Sequence, residues 1–294
     1  MKITEIFKKG KPVISFEFFP ARTEELAEKF NKTIDELLEL KPDFVTVTFG
    51  AGGSTKDGSY ELVKKFKKEK KQELIAYLAA FALRKNEITT VLDHYKDLGI
   101  ENIFSLRGDP PKNTPTDQVP ADSFRYASEL TAFIRQNYNF CLGVAGYPEG
   151  HIEAPSFDKD IENLKHKVDQ GAEFIITQYF YDNAYFLNFV ERCRKSGITI
   201  PILPGIMSVY SIKMMEMLAV NCGANIPDKL RQGIAELPEG DTKALINFGI
   251  KYAINQCEEL IKEGVSGLHF YTMDRSESTV GVVKGLKDKG LLRI

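Results

Sequence analysis

Short β-branched and aromatic runs alternate with longer amphipathic segments along most of the 294-residue chain. The runs at 13–18, 44–49, 74–81, 102–107, 140–147, 174–180, 200–206 and 267–273 read as strands. Helical periodicity fills most of the intervals, as in 23–40 (TEELAEKFNKTIDELLEL) and 86–98 (NEITTVLDHYKDL). About eight strand–helix units in a chain of this size are the signature of an α/β fold of the (β/α)8 TIM-barrel type, with a doubly wound open sheet as the alternative. The interval before the last strand is long and holds extra helices around 210–221, 227–236 and 241–263. No Ser/Gly linker or composition shift divides the chain, so residues 1–294 are expected to form a single domain.

Alternation within the strands sharpens this picture. Val13, Ser15 and Glu17 share one face of the first strand, and Ile14, Phe16 and Phe18 share the other. The second strand sets Thr46 and Thr48 against Val45, Val47 and Phe49; the fourth sets Ser105, Arg107 and Asp109 against Phe104 and Leu106. A parallel strand buried on both faces is expected to be apolar on both. Here one parity is polar, increasingly so toward the C-terminal end, where a barrel keeps its catalytic groups. Glu17, in SFEFFP, is therefore expected to point into the barrel mouth and Phe18 outward under the helices. A carboxylate among phenylalanines costs several kcal/mol without a partner, so it is either at an exposed edge or in use.

Composition narrows the function classes. The chain is 43% hydrophobic and 27% charged with a net charge of −2, which offers no basic field for nucleic acid or anionic membrane. The longest basic run, KKFKKEKK at 64–71, reads as a solvated helix terminus. Four scattered cysteines lack C-x-x-C spacing and are expected to be free thiols. With neither an apolar signal region nor a run long enough to span a bilayer, the chain reads as cytoplasmic.

Polar side chains recur at the predicted strand ends: Glu17, Thr48, Arg107 and Asp109, Tyr147 and His151, Gln178, then His269, Tyr271 and Arg275. Singly each has a structural explanation, Arg107 and Asp109 as an ion pair for instance; their recurrence at one end of one barrel favours a site. No strand ends in the lysine that a Schiff-base aldolase needs, and no H-x-H or H-E-x-x-H spacing suggests zinc, so no metal is expected. No G-x-S-x-G elbow is present. GAGGST at 50–55 fails the G-x-G-x-x-G pattern and reads as a βα loop.

SFEFFP, VTVTFGAGG, SLRGDPP, AGYPEGH, LKHKVDQGAEFIITQYFYD, ILPGI and LHFYTMDR, in this order, closely resemble the bacterial methylenetetrahydrofolate reductases nearly end to end. The resemblance implies a (β/α)8 barrel holding FAD at the C-terminal ends of its strands. It implies reduction of 5,10-methylenetetrahydrofolate to 5-methyltetrahydrofolate, with NADH or NADPH as donor in a ping-pong cycle that feeds methionine synthesis. Glu17 matches the general acid that protonates N10, and Asp109 an aspartate beside the flavin and pterin. Gln178, Tyr271 and Arg275 match substrate-contacting positions. The FAD pattern carries over to Thr48, Phe49, Ala51, Tyr77, Arg107, Gly108, Asp109, Tyr126, Ala127, Tyr147, His151, Asp160, Asn163 and Lys167. Arg107 and Lys167 suit the pyrophosphate and Asp160 a ribose hydroxyl.

Four positions depart from the pattern: Tyr77 for a histidine, His166 for an arginine, Leu218 for a phenylalanine, and Met214 for a glutamine seen in some members. A homo-oligomer is expected. The chain stops after the barrel, without the second domain through which eukaryotic relatives respond to S-adenosylmethionine, so that inhibition is not expected. The competing readings are a pterin- or folate-binding barrel without flavin redox function, and a homologue that has lost FAD and uses nicotinamide directly.

Overall fold

Apolar residues dominate eight segments that are buried on both faces, which is what a parallel sheet covered by helices requires. The computed structural model describes residues 1–20, 24–50, 54–109 and 120–292. Its strands are β1 (Val13–Phe18), β2 (Phe44–Val47), β3 (Leu74–Ala79), β4 (Asn102–Leu106), β5 (Cys141–Gly146), β6 (Phe174–Tyr179), β7 (Ile202–Ile206) and β8 (Gly267–Tyr271). All are parallel to their neighbours and follow one another in chain order, with β8 closing on β1. That closure excludes the open sheet, and the predicted strands are found with ends shifted by at most two residues.

The helices are α1 (Ile3–Phe7), α2 (Glu24–Leu38), α3 (Ser54–Lys64), α4 (Lys85–Asp97), α5 (Ala127–Asn137), α6 (Phe157–Asp169) and α7 (Asn183–Lys195), followed by α8 (Ile212–Cys222), α9 (Asp228–Ala235), α10 (Thr242–Lys262) and α11 (Ser276–Asp288). The extra helices expected before the last strand are α8, α9 and α10. None of the described helices is long and apolar enough to cross a membrane, and all four cysteines are unpaired.

Strand alternation divides the core in two. Ile14, Phe16, Phe18, Val45, Val47, Leu78 and Phe270 join the outer layer beneath the helices. Val13, Phe44, Ile75, Tyr77, Phe104, Cys141, Phe174 and Leu203 fill the interior. At the N-terminal end α1 stoppers the barrel: Phe7 meets Phe44 and Phe174 edge-on at 6.5 and 6.1 Å. Asn102 fixes that stopper by accepting from Ile3 N (2.8 Å) and donating to Leu74 O (3.2 Å).

One strand reverses the expected sense. On β4 the apolar parity faces inward, with Phe104 and Leu106 on the interior cluster. Ser105 turns outward, where Thr131 on α5 donates to its hydroxyl (3.0 Å) and Ala127 O is 3.3 Å away. The N-terminal turn of α5 gives Ser105 hydrogen-bond partners that the aromatic interior lacks.

Interior aromatics fit because facing positions lack side chains. A Cβ on Gly143 would stand 2.3 Å from the Phe174 ring and 2.7 Å from that of Phe104. Gly143→Ala is expected to destabilise the fold by about 1–3 kcal/mol through overpacking. Adding Phe174→Leu is expected to return part of that loss in urea unfolding. A purely additive pair would contradict the stated contact.

Candidate active site

Glu17 is carried inward near the end of β1, level with Thr46 on β2 and Tyr271 on β8. Only 3% of it is exposed. Its Oε2 lies 3.9 Å from His269 Nε2 on β8. The imidazole is anchored from below, with Nδ1 2.9 Å from Ser15 Oγ, and Ser15 Oγ is in turn 3.4 Å from Leu268 O. His269 Nε2 and Thr46 Oγ1 are buried without a hydrogen-bond partner among the described residues. Glu17 thus faces polar groups left free by the fold, and the parity reading of β1 is borne out.

Tyr271 and Tyr77 wall this space. A Cβ on Gly205 would stand 2.5 Å from the Tyr271 ring, so the glycine lets that ring lie flat against β7, and its hydroxyl donates to Thr177 O (2.8 Å). Tyr77 stacks on Phe104 at 4.7 Å inside the barrel. Burial, and secondarily the nearby Glu17 charge, push both phenols well above their ordinary value. Gln178 is half-buried on β6, where the pairing with β7 shifts register between Ile176 and Tyr179, and its Oε1 accepts from Tyr179 N (3.0 Å).

The β4–β5 rim holds the cations. Arg107 follows β4, bonds Glu153 and lies 3.9 Å from Asp109, which projects into solvent with its side chain 97% exposed. The expected Arg107–Asp109 pair is therefore loose, and Glu153 is the nearer partner. Gly108 has φ +82° and packs close to Ala79 and Phe81, a conformation that favours glycine. On α6 the spacing of Asp160, Asn163 and Lys167 sets them along one side of the helix. Lys167 Nζ donates to Ala145 O (2.6 Å) and lies 5.8 Å from the centre of the Tyr147 ring. Burial pulls the Lys167 ammonium down to about 8, against the opposing pull of Asp160. Asp160 accepts from His151 N (3.2 Å), and His151 meets Tyr147 edge-on at 4.6 Å. Tyr147, His151, Asp160 and Lys167 are thus one cluster. Asn163 is exposed beside it, and Tyr126 stands exposed just before Ala127 opens α5.

Opposite this rim a cavity of about 760 Å³ opens between β1, β2 and α11, lined by Phe19, Lys29, Thr48, Phe49, Tyr210 and Arg275 among others. Arg275 stacks on Tyr210 at 4.6 Å. Thr48 N donates to Phe18 O (3.0 Å), and Ser59 on α3 donates to Thr48 O (2.8 Å) while accepting from Gly50 N (3.2 Å). Ala51 lies outside the described residues. Sequence reasoning did not single out Ser59, Thr272, Asp274 or Glu149. The last three lie within quoted motifs, but their roles depend on partners from distant segments. No cluster able to hold a metal ion occurs among the described residues.

Fold and site together define a (β/α)8 barrel with an acid buried in its mouth and cations on its rim. Residues 2–287 match the family described as methylenetetrahydrofolate reductase. The chain belongs to that family. It is 36% identical over 284 residues to the 5,10-methylenetetrahydrofolate reductase of Escherichia coli strain K12, covering 94% of this chain and 93% of the relative. It is 35% identical over 296 residues to the methylenetetrahydrofolate reductase (NADH) 1 of Arabidopsis thaliana, covering 97% of this chain and 50% of the relative. The chain thus spans about half the length of the plant and fission-yeast relatives it matches. Among solved structures, an uncharacterized protein from Clostridium thermocellum that binds two copies of 5-methyl-5,6,7,8-tetrahydrofolic acid shares the fold, with a TM-score of 0.65 at 16% identity over 98% of this chain and 100% of that one.

Glu149, in the β5–α6 loop, accepts from Asn225 N (3.0 Å) beyond α8 while its Oε1 has no hydrogen-bond partner among the described residues. Burial raises its carboxyl from 4.5 to about 7. The folded state keeps this proton longer than the unfolded chain, so the stability contributed by Glu149 falls as pH rises through that window. Glu149→Gln is expected to gain stability relative to wild type between pH 4.5 and 8, read from urea midpoints. An equal difference at both pH values would remove Glu149 as the cause.

Proposed function

We propose that this chain reduces 5,10-methylenetetrahydrofolate to 5-methyltetrahydrofolate, with NADH or NADPH as donor and FAD as the carrier. The observation that carries the reading is Glu17, a buried carboxyl at the barrel mouth beside partnerless polar atoms, in a chain of this family. The FAD fit rests on the donor set at the β4–β5–α6 rim: two cations, Arg107 and Lys167, flank the buried acid Asp160 and the Tyr147 ring. Arg107 and Lys167 are the groups to hold a pyrophosphate, and Asp160 a ribose hydroxyl. Gly108 offers backbone surface beside Arg107, and Thr48 and Phe49 offer apolar surface in the cavity across the mouth. FAD, when bound, supplies the two-electron carrier between nicotinamide and folate. A cytoplasmic setting fits the four unpaired cysteines.

The residues themselves perform the acid chemistry. Glu17 delivers a proton to folate N10, which opens the methylene bridge and leaves the carbon electrophilic. The aromatic stopper closes the barrel from below, so water reaches Glu17 only through the mouth. Gln178 orients the pterin by hydrogen bonds from the β6 side, while Tyr271 on β8 and Arg275 at the start of α11 contact the substrate. Asp109, exposed at the rim and only loosely paired with Arg107, is available to the ring systems when they enter.

Glu17→Gln keeps shape but cannot give a proton. Reduction of bound flavin by NADH or NADPH is expected to survive in that variant, and its reoxidation by methylenetetrahydrofolate to slow by about 10²–10⁴. Stopped-flow measurement of each half-reaction checks this; equal impairment of both would make Glu17 a structural residue.

The cofactor is tested separately. Wild-type protein is expected to carry flavin absorbance or gain it on incubation with FAD, and Lys167→Gln to weaken FAD retention in equilibrium dialysis by about 10–100-fold, the loss of one charge-assisted bond. A protein that stays colourless yet turns over folate would favour direct donation from nicotinamide.

A further inference from the structure

The turn after β8 contains Met273 (φ 50°) and Asp274 (φ 53°), successive non-glycine residues in the left-handed region. Each such residue costs roughly 1–3 kcal/mol and persists only where surrounding structure enforces it. What enforces this pair is visible in its contacts. Thr272 Oγ1 donates to the backbone carbonyl of Glu17 (2.6 Å). Asp274 Oδ1 accepts from the backbone N–H of Phe19 (3.1 Å). Asp274 N donates to Thr272 Oγ1 (3.2 Å), which joins the two contacts. The left-handed pair folds the chain back so that both side chains grip β1 on either side of Phe18.

From this geometry we infer that the Thr272–Asp274 turn is the positioning element of the acid, with Asp274 a positioning residue that acts on Glu17 through the Phe19 amide. This rests on the proposed folate reduction. The turn also lines the 760 Å³ cavity, through Met273 and Asp274. Occupants of that cavity and the acid therefore share one piece of backbone. Asp274 is half-buried and its carboxyl rises to about 6, chiefly through burial and, more weakly, through the Glu17 charge.

Two substitutions separate grip from strain. Asp274→Gly adopts the same backbone without strain but loses the acceptor. Asp274→Asn keeps an acceptor and tolerates the left-handed region. Asp274→Gly is expected to slow the folate half-reaction by on the order of 10–100-fold, as a sub-ångström misplacement of a catalytic group does, and to leave flavin reduction by NADH or NADPH within about twofold. Asp274→Asn is expected to retain the wild-type folate rate within about twofold. In a Glu17→Gln background, Asp274→Gly is expected to add no further loss. Amide exchange at Phe19 supplies a readout free of activity: protection is lost in the glycine variant and kept in the asparagine variant. The inference is overturned if Phe19 stays protected in Asp274→Gly, if both half-reactions slow alike, or if the loss persists without Glu17. A wild-type protein inert toward methylenetetrahydrofolate, with Phe19 exchange behaving as stated, would sink the proposed reaction and leave the grip standing.

Discussion

Eight short parallel strands close on one another only if every second side chain enters a space a few residues wide, and the rest of this structure follows from how that space is filled. Phe44, Phe104 and Phe174 occupy its lower part, with Gly143 making room for two of the three rings. Phe7 seals the bottom. With that end shut and packed, and its polar Asn102 spent on the stopper, the polar positions Ser15, His269, Thr46 and Glu17 face one another higher up. The barrel thus separates an aromatic floor from a polar mouth, the end at which this fold places its catalytic groups.

The floor explains why the mouth is usable. Ser15 holds the His269 ring at one nitrogen, which leaves the other facing Glu17 with no partner of its own. Tyr271 is flattened against Gly205 and tied to Thr177, so it borders the space without filling it. At the rim, Arg107 and Lys167 are held by Glu153 and by a backbone carbonyl, contacts that an anionic ligand can replace. Positive charge stays at the edge while the buried acid lies at the centre, an arrangement suited to a ligand with an anionic portion and a ring that reaches inward.

Much of this was legible in the chain because it is periodic. The eight strands, the inward sense of Glu17 and the extra helices before β8 follow from alternation and spacing. Alternation alone misassigned β4: parity says which residues share a face but not which face is inside, and the helix start at Ala127 decided it for Ser105. The grip of Thr272 and Asp274 on β1 lay beyond sequence reading for another reason. It joins residues about 255 positions apart through backbone groups that no side-chain pattern encodes. The rim cluster stands between these cases: strand-end position suggested Tyr147 and His151, the family resemblance alone brought in Asp160 and Lys167, and the structure shows the four together.

Thr46 Oγ1 and His269 Nε2 carry a consequence for anyone who would toughen this protein. A buried polar atom without a partner costs about 1–3 kcal/mol. Replacing Thr46 with an apolar residue of similar size removes that cost, and at His269 the same change removes it while giving up the contact with Ser15. A screen for heat resistance that ignored turnover would therefore be drawn to these positions, and each gain there would come from the polar atoms that face Glu17. Thermal hardening is better sought on the helical exterior, where a stronger contact takes nothing from Glu17.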